Sequence, residues 1–93
     1  MVLLDVLIIG NGGREHAIAV GLNNSKSIDN IHVAPGNVGT HQIAVNHDID
    51  ISKSENITNL ASKLNVDLVI IGPEMPLVNG ITDELNKINI NCF

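Results

Sequence analysis

Val6-Leu7-Ile8-Ile9-Gly10-Asn11-Gly12-Gly13-Arg14-Glu15-His16-Ala17-Ile18-Ala19-Val20 is the stretch that decides the fold. Its apolar run, Val6 to Ile9, stops at a cluster of glycines, and a helical pattern begins directly after them. A buried strand that turns straight into a helix aims bare backbone N–H groups at one point in space. That geometry favours an anion.

Outward from this stretch, Leu3 to Ile9 is apolar on both faces, which predicts a parallel strand covered by helices on either side. Asp5 then falls at the strand's start, where the edge meets water. Gly13 to Asn23 is expected to form the helix, with Ala17, Ile18, Gly21 and Leu22 as the stripe facing the sheet. Gly21 costs helix propensity, about 1 kcal/mol relative to alanine, and close packing against a strand is its expected reason.

After a polar exit at Asn23-Asn24-Ser25-Lys26, Asn30 to Ala34 reads as a second strand ending in the glycine-rich loop Pro35-Gly36-Asn37-Val38-Gly39-Thr40. Ile43 to Asn46 reads as a short third strand. Ser52-Lys53-Ser54-Glu55 fits a capping box with Ser52 as N-cap, and Ile57, Leu60, Ala61 and Leu64 make an amphipathic helix ending near Asn65. Asp67 to Ile71 is another apolar strand, stopping at Gly72-Pro73-Glu74-Met75-Pro76. Pro76 suits the first turn of a helix that buries Leu77, Val78, Ile81, Leu85 and Ile88, and Ile90 to Phe93 begins a further strand.

Strands alternating with helices predict an α/β fold, a small doubly wound parallel sheet in one domain over residues 1–93. Right-handed crossovers bring the carboxyl ends of the strands to one edge. The loops Gly10 to His16, Pro35 to Thr40 and Gly72 to Met75 therefore converge where such sheets bind ligands.

An apolar fraction of 44% with 16% charged residues is ordinary for a globular domain and argues against disorder. Phe93 is the sole aromatic residue and the net charge is −5, so the chain lacks the stacking platform and the basic footprint of a nucleic-acid binder. A few N–H groups and one arginine can still outweigh a diffuse negative surface, so a phosphorylated small molecule fits a local site. The single Cys92 excludes an intrachain disulfide, and His16, His32, His41 and His47 show no zinc-ligand spacing, so no metal site is expected. No apolar run reaches membrane-spanning length and Met1 to Ile9 is too short for a signal peptide, which makes a reducing, cytoplasmic setting without membrane contact the expectation.

Gly10-x-Gly12 with Gly13 approaches a dinucleotide fingerprint, but its third small residue falls on Glu15. The ribose-binding acid is also missing, because Ala34-Pro35-Gly36 stands where it belongs. No Gly-Lys-Ser/Thr follows, as a P-loop needs, and no acids end the first strand, as a receiver-like switch domain needs. Arg14 opposes the helix macrodipole by roughly a few tenths of a kcal/mol. Two readings of it stand: with the amides of Gly12 and Gly13 it meets a phosphate or carboxylate, or it swings to solvent or pairs with Glu15 or Glu74. Glu15 and His16 at a helix start have ample structural explanations. Glu74, between Pro73 and Pro76, has little choice of direction and suits acceptance from two vicinal sugar hydroxyls, beside the plainer reading of a solvated turn. Pro35-Gly36-Asn37 reads equally as part of a site or as a tight turn with Asn37 or Gly39 at positive φ.

Three motifs in order, Gly10-x-Gly12-Gly13-Arg14-Glu15-His16-Ala17, Ala34-Pro35-Gly36-Asn37-x-Gly39-Thr40 and Gly72-Pro73-Glu74-x-Pro76-Leu77-Val78-x-Gly80-Ile81, resemble the amino-terminal domain of the phosphoribosylamine–glycine ligase (glycinamide ribonucleotide synthetase) family. The resemblance covers essentially all 93 residues. It implies a Rossmann-like, pre-ATP-grasp domain of an ATP-grasp ligase of purine biosynthesis that joins glycine to 5-phosphoribosylamine. In that family ATP and Mg²⁺ convert the glycine carboxylate to an acyl phosphate, which the sugar amine attacks. The resemblance further implies that Gly10, Gly12, Gly13, Arg14, Glu15, Pro35, Gly36, Asn37, Gly72, Pro73 and Glu74 line the substrate, with Glu74 taking ribose hydroxyls and no catalytic residue among them. ATP and Mg²⁺ are expected outside this chain, on the family's ATP-grasp and carboxyl-terminal domains. Those domains and 5-phosphoribosylamine are the implied partners, and the chain alone is expected not to turn over. Two other classes stay open: a non-catalytic α/β module that binds a sugar phosphate or docks on a partner, and a dinucleotide-binding fragment, which saturable NAD binding would revive.

Overall fold

The alternation of side chains along Leu4–Gly10 (β1) divides the core in two. Val6 and Ile8 point to one face, where they meet Ala19, Ile31 and Val33 with the half-buried Ile18 and Leu22. Leu7 and Ile9 point to the other, against Ile57, Leu60, Ala61, Val69, Ile81 and Leu85. All four strand residues are at most 1% exposed, which is why β1 reads as apolar throughout.

The computed structural model describes residues 3–72 and 80–92. After β1 come α1 (Gly13–Asn23), β2 (Ile28–Pro35), α2 (Val38–His41), β3 (Val45–Asn46), α3 (Ser54–Leu64), β4 (Leu68–Ile71), α4 (Ile81–Lys87) and β5 (Asn91–Cys92). The strands form one sheet of order β3-β2-β1-β4-β5, and every pairing is parallel. β1 therefore lies at the centre, with Val6 opposite Ile31 on one side and Leu68 on the other. The expected small doubly wound α/β sheet is the fold observed.

The amino ends of the three central strands are joined by side chains. Asp5 Oδ1 accepts the backbone N–H of Asn30 at 3.1 Å and its Nδ2 at 2.9 Å. Asp5 N–H donates to Asp67 Oδ2 at 2.9 Å, while Asp67 N–H donates to the Asp5 carbonyl at 2.8 Å.

Several local expectations are corrected. α1 keeps its expected bounds, but its inward face is Glu15, Ile18, Ala19 and Leu22, whereas Ala17 and Gly21 are exposed. The helix phase is set by Glu15 turning inward, which rotates the anticipated stripe towards solvent. Close packing does not explain Gly21, since a Cβ there would meet nothing within 4 Å. Ser52 does not cap α3: Lys53 holds the N-cap position without a side-chain bond. Asp50 competes successfully for Ser52, accepting its N–H at 3.0 Å and its hydroxyl at 2.6 Å in a local turn. The far end of α3 is as expected, with Asn65 closing it in the left-handed region at φ 55. α4 buries Ile81 and Leu85, but Ile88, past its end, is 42% exposed. The anticipated burial of Leu77 and Val78 lies outside the described residues.

Gly21→Ala is expected to stabilise the protein by about 0.5–1 kcal/mol, because the helix gains propensity and no neighbour is displaced. Urea denaturation followed by circular dichroism measures it; a lower midpoint would reveal a hidden neighbour of Gly21.

Candidate functional site

Because all strands run parallel, their carboxyl ends share one edge, and the chain leaves that edge in two directions. From β1 it steps through β2 to β3, then crosses back to β4 on the other side of β1. The crevice of such a sheet opens where the order reverses, between the carboxyl ends of β1 and β4. Gly72 N–H donates to the Ile9 carbonyl at 2.8 Å, and Gly36 N–H donates to the Gly10 carbonyl at 3.0 Å. All three loops singled out from the sequence thus begin side by side.

Glu15 sits at the junction. It occupies the third position of α1, is fully buried, and its Oε2 accepts the Gly12 N–H at 2.8 Å. This is the backward-reaching half of a capping box, the half available when the N-cap is a glycine. Space for the carboxylate comes from two other glycines. Gly10 lies at φ 143, and a Cβ on it would fall 2.6 Å from the Glu15 side chain. A Cβ on Gly72 would collide with Glu15 Oε1 and approach the Ile9 carbonyl to 2.9 Å. Glu15 interrupts the dinucleotide fingerprint because a carboxylate, walled by glycines from separate loops, fills the space under the turn. Gly13 and Arg14 beside it are exposed at the helix start.

The second motif is not wholly a loop, because α2 begins within it. Asn37 is the N-cap, at φ −148: its Oδ1 accepts Thr40 N–H at 2.9 Å, and its N–H donates to Thr40 Oγ1 at 2.8 Å. The positive φ anticipated at Asn37 or Gly39 belongs to Gly36, at 78. Gly36 has no room for a side chain, since a Cβ would collide with the Asn46 amide and lie 2.8 Å from Thr40 Oγ1. Asn46 Nδ2 donates to the Asn37 carbonyl at 2.8 Å, and the fully buried Thr40 hydroxyl lies 2.8 Å from Asn46 Oδ1. Asn37 Nδ2 in turn reaches the first loop, donating to the carbonyls of Asn11 at 3.0 Å and Gly12 at 3.1 Å. Thr40 and Asn46 form the support that sequence reasoning missed. Thr40 stood inside a recognised motif, whereas Asn46 carried no signal beyond its place at a strand end.

Next to Asn46, His47 Nε2 lies 2.9 Å from Nδ1 of His32 on β2, and His47 N–H donates to the Val33 carbonyl at 2.8 Å. Partial burial, together with the nearby His32 and Lys63, holds the His47 imidazole below its ordinary pKa. Of the expected substrate-lining residues, the structure brings together Gly10, Gly12, Gly13, Arg14, Glu15, Pro35, Gly36, Asn37 and Gly72 at this edge. Pro73 and Glu74 lie outside the described residues. Among the described residues no three His, Cys, Asp or Glu side chains group as a metal site would need. No described helix is long and apolar enough to cross a membrane.

Residues 4–93 match the family model described as phosphoribosylglycinamide synthetase, N domain. Phosphoribosylamine–glycine ligases of Mycobacterium tuberculosis and Rhodopirellula baltica are 46% and 45% identical to the chain over 97% and 96% of its length. That of Clostridium acetobutylicum is 41% identical over 97%. The chain spans 21%, 20% and 22% of these relatives, about a fifth of their length. A crystal structure of phosphoribosylamine–glycine ligase from Thermotoga maritima is similar with a TM-score of 0.58 at 25% identity, covering 94% of this chain and 19% of that one.

Gly72→Ala is expected to cost about 1–3 kcal/mol through overpacking against Glu15, lowering Tm by roughly 4–8 °C per kcal/mol. An unchanged thermal transition would show that Glu15 can move aside freely. His47 takes up a proton less readily in the folded chain than in the unfolded one. As pH falls below the ordinary imidazole value of about 6.5, the unfolded chain binds the proton first, so stability drops through the lowered folded value. Urea midpoints at successive pH values check this: His47→Gln should flatten that part of the profile, and an already flat parent profile contradicts it.

Proposed function

The chain belongs to the phosphoribosylglycinamide synthetase N-domain family, and from that premise we infer that it is the part of an ATP-dependent ligase that helps to hold 5-phosphoribosylamine while glycine is joined to it. The ligase in this reading serves purine biosynthesis in the cytoplasm. The observation that carries the substrate role is the locking of three separate loops at the crevice between β1 and β4 by Glu15, Asn37 and the strand-end hydrogen bonds. Such a crevice, rimmed by first-turn amides of α1, suits an anionic sugar derivative.

Each residue then has a bounded task. The N–H groups of Gly13 and Arg14 open α1 and have no partner within the helix, so they are available to an oxygen of the substrate. The exposed Arg14 guanidinium supplies charge, and an anion beside it removes the conflict between that cation and the helix dipole. Glu15 and Gly10 shape the loop from below. Gly36 and Gly72 leave room for the supporting side chains, Asn46 and Thr40 at the one and Glu15 at the other. Pro73 and Glu74 enter by their motif alone, with Glu74 taking the vicinal ribose hydroxyls.

ATP and Mg²⁺ do not fit the described residues. The glycine turn lacks a following lysine, and no metal-ligand cluster stands among these residues. The nucleotide and its metal belong, in this reading, to the ATP-grasp and carboxyl-terminal domains of the full-length ligase. Pro35 at the end of β2, where a dinucleotide fold needs an acid, counts against NAD.

Titration of the ¹⁵N-labelled chain with ribose 5-phosphate tests the reading. Shifts are expected at Gly12, Gly13 and Arg14 together with Gly36, Gly72 and Glu74, and Arg14→Gln should weaken binding at least about tenfold. Saturable shifts with NAD and none with ribose 5-phosphate would overturn it.

A further inference from the structure

The carbonyls of Asn11 and Gly12 both point at one side-chain amide, that of Asn37. In a trans peptide the C=O and the following N–H lie in one plane and point in opposite directions. The Asn11–Gly12 plane is therefore held at both ends, its carbonyl by Asn37 Nδ2 and its N–H by Glu15 Oε2 at 2.8 Å. Among the described residues the Gly12–Gly13 plane is held at its carbonyl end, by Asn37 Nδ2 at 3.1 Å and by the His16 N–H of the helix at 3.3 Å. Its other end is the Gly13 N–H, turned away from Asn37 at the start of α1.

Asn37 has little freedom to do anything else. Its Nδ2 donates to both carbonyls of the first loop, and its Oδ1 accepts Thr40 N–H. Its backbone is held in turn, since its N–H donates to the buried Thr40 hydroxyl and its carbonyl accepts Asn46 Nδ2. A line of hydrogen bonds thus runs from β3, through the cap of α2, to the glycine turn before α1.

We propose that Asn37 is a positioning residue: its amide fixes the two peptide planes of the first loop so that the Gly13 N–H faces an anionic oxygen of the bound sugar derivative. Asn37 acts through that backbone, its side chain being already bonded to the chain, in place of the direct substrate contact that the resemblance implies. The proposal rests on the substrate reading given above for its ligand, but the orientation of the planes can be measured without any ligand.

Asn37→Ser and Asn37→Asp separate this role from capping. Both residues cap helices about as well as asparagine, and both lack the amide protons that reach Asn11 and Gly12. Serine avoids setting a carboxylate against the two carbonyls, so it serves if the aspartate variant does not fold. In both variants Tm should stay within about 5 °C of the parent. Hydrogen exchange of the Gly12 amide is expected to quicken about tenfold or more. Ribose 5-phosphate should bind about tenfold more weakly, with the ligand-induced shift at Gly13 lost. A purely structural role would lower Tm and leave the affinity and the Gly13 response intact. Parent-like Gly12 exchange in Asn37→Ser overturns the proposal. An absence of any loop shift with ribose 5-phosphate in the parent instead overturns the substrate reading, while Gly12 exchange still judges the planes.

Discussion

Burying a carboxylate is costly unless its oxygens are bonded, and here the Glu15 side chain is fully buried with the Gly12 N–H on one oxygen. Much of the surrounding architecture follows from that one placement. Gly10 must lack a side chain and adopt φ 143, and Gly72, arriving more than fifty residues later, must lack one too. The phase of α1 is set by the same contact, which turns Ala19 inward and Gly21 outward. Stability and site geometry are therefore coupled at this point. The group that holds the glycine turn in shape also joins β1 to the end of β4.

The sequence made the architecture legible because β1 and β4 are buried on both faces and α3 carries a clean apolar stripe. Alternating elements pointed to a doubly wound parallel sheet, the convergence of the loops followed from parallel strands, and the strand order came from the structure. What failed was local and polar. The stripe assigned to α1 counted alanine and glycine as inward because they are apolar, whereas an acidic residue takes the inward place through a backbone bond that composition does not reveal. Ser52 matched a capping pattern, but Asp50, two residues earlier, competes for the same hydrogen bonds. The second glycine motif hid a short helix because Asn37 supplies both a turn and a cap. Of the site itself, the glycines and Arg14 could be named from pattern, but the supports Thr40 and Asn46 could not. They act by contacts between segments that pattern does not connect.

A net charge of −5 conflicts with the anion site proposed above only if charge is averaged over the chain. Screening confines exposed charges to about 8 Å at physiological ionic strength, so scattered surface acids contribute little at the crevice. The amides at the start of α1 are fixed partial charges that need no reorganisation. Glu15 and Asn37 hold the turn that leads into them, and in the proposed role such prior order lowers the entropy cost of binding.

The bonds of Asp5 to Asn30 and Asp67 lie at the opposite end of the sheet from the crevice. They tie the strands at their amino ends, whereas the carboxyl ends carry the glycine loops. In the proposed reading, substitutions at the amino ends act on stability alone. At the carboxyl ends Gly10 and Gly72 border the same Glu15 side chain, so a methyl group added to either presses on the turn before α1. A change at Glu15 therefore acts on the turn before α1 and on the chain leaving β4 at once.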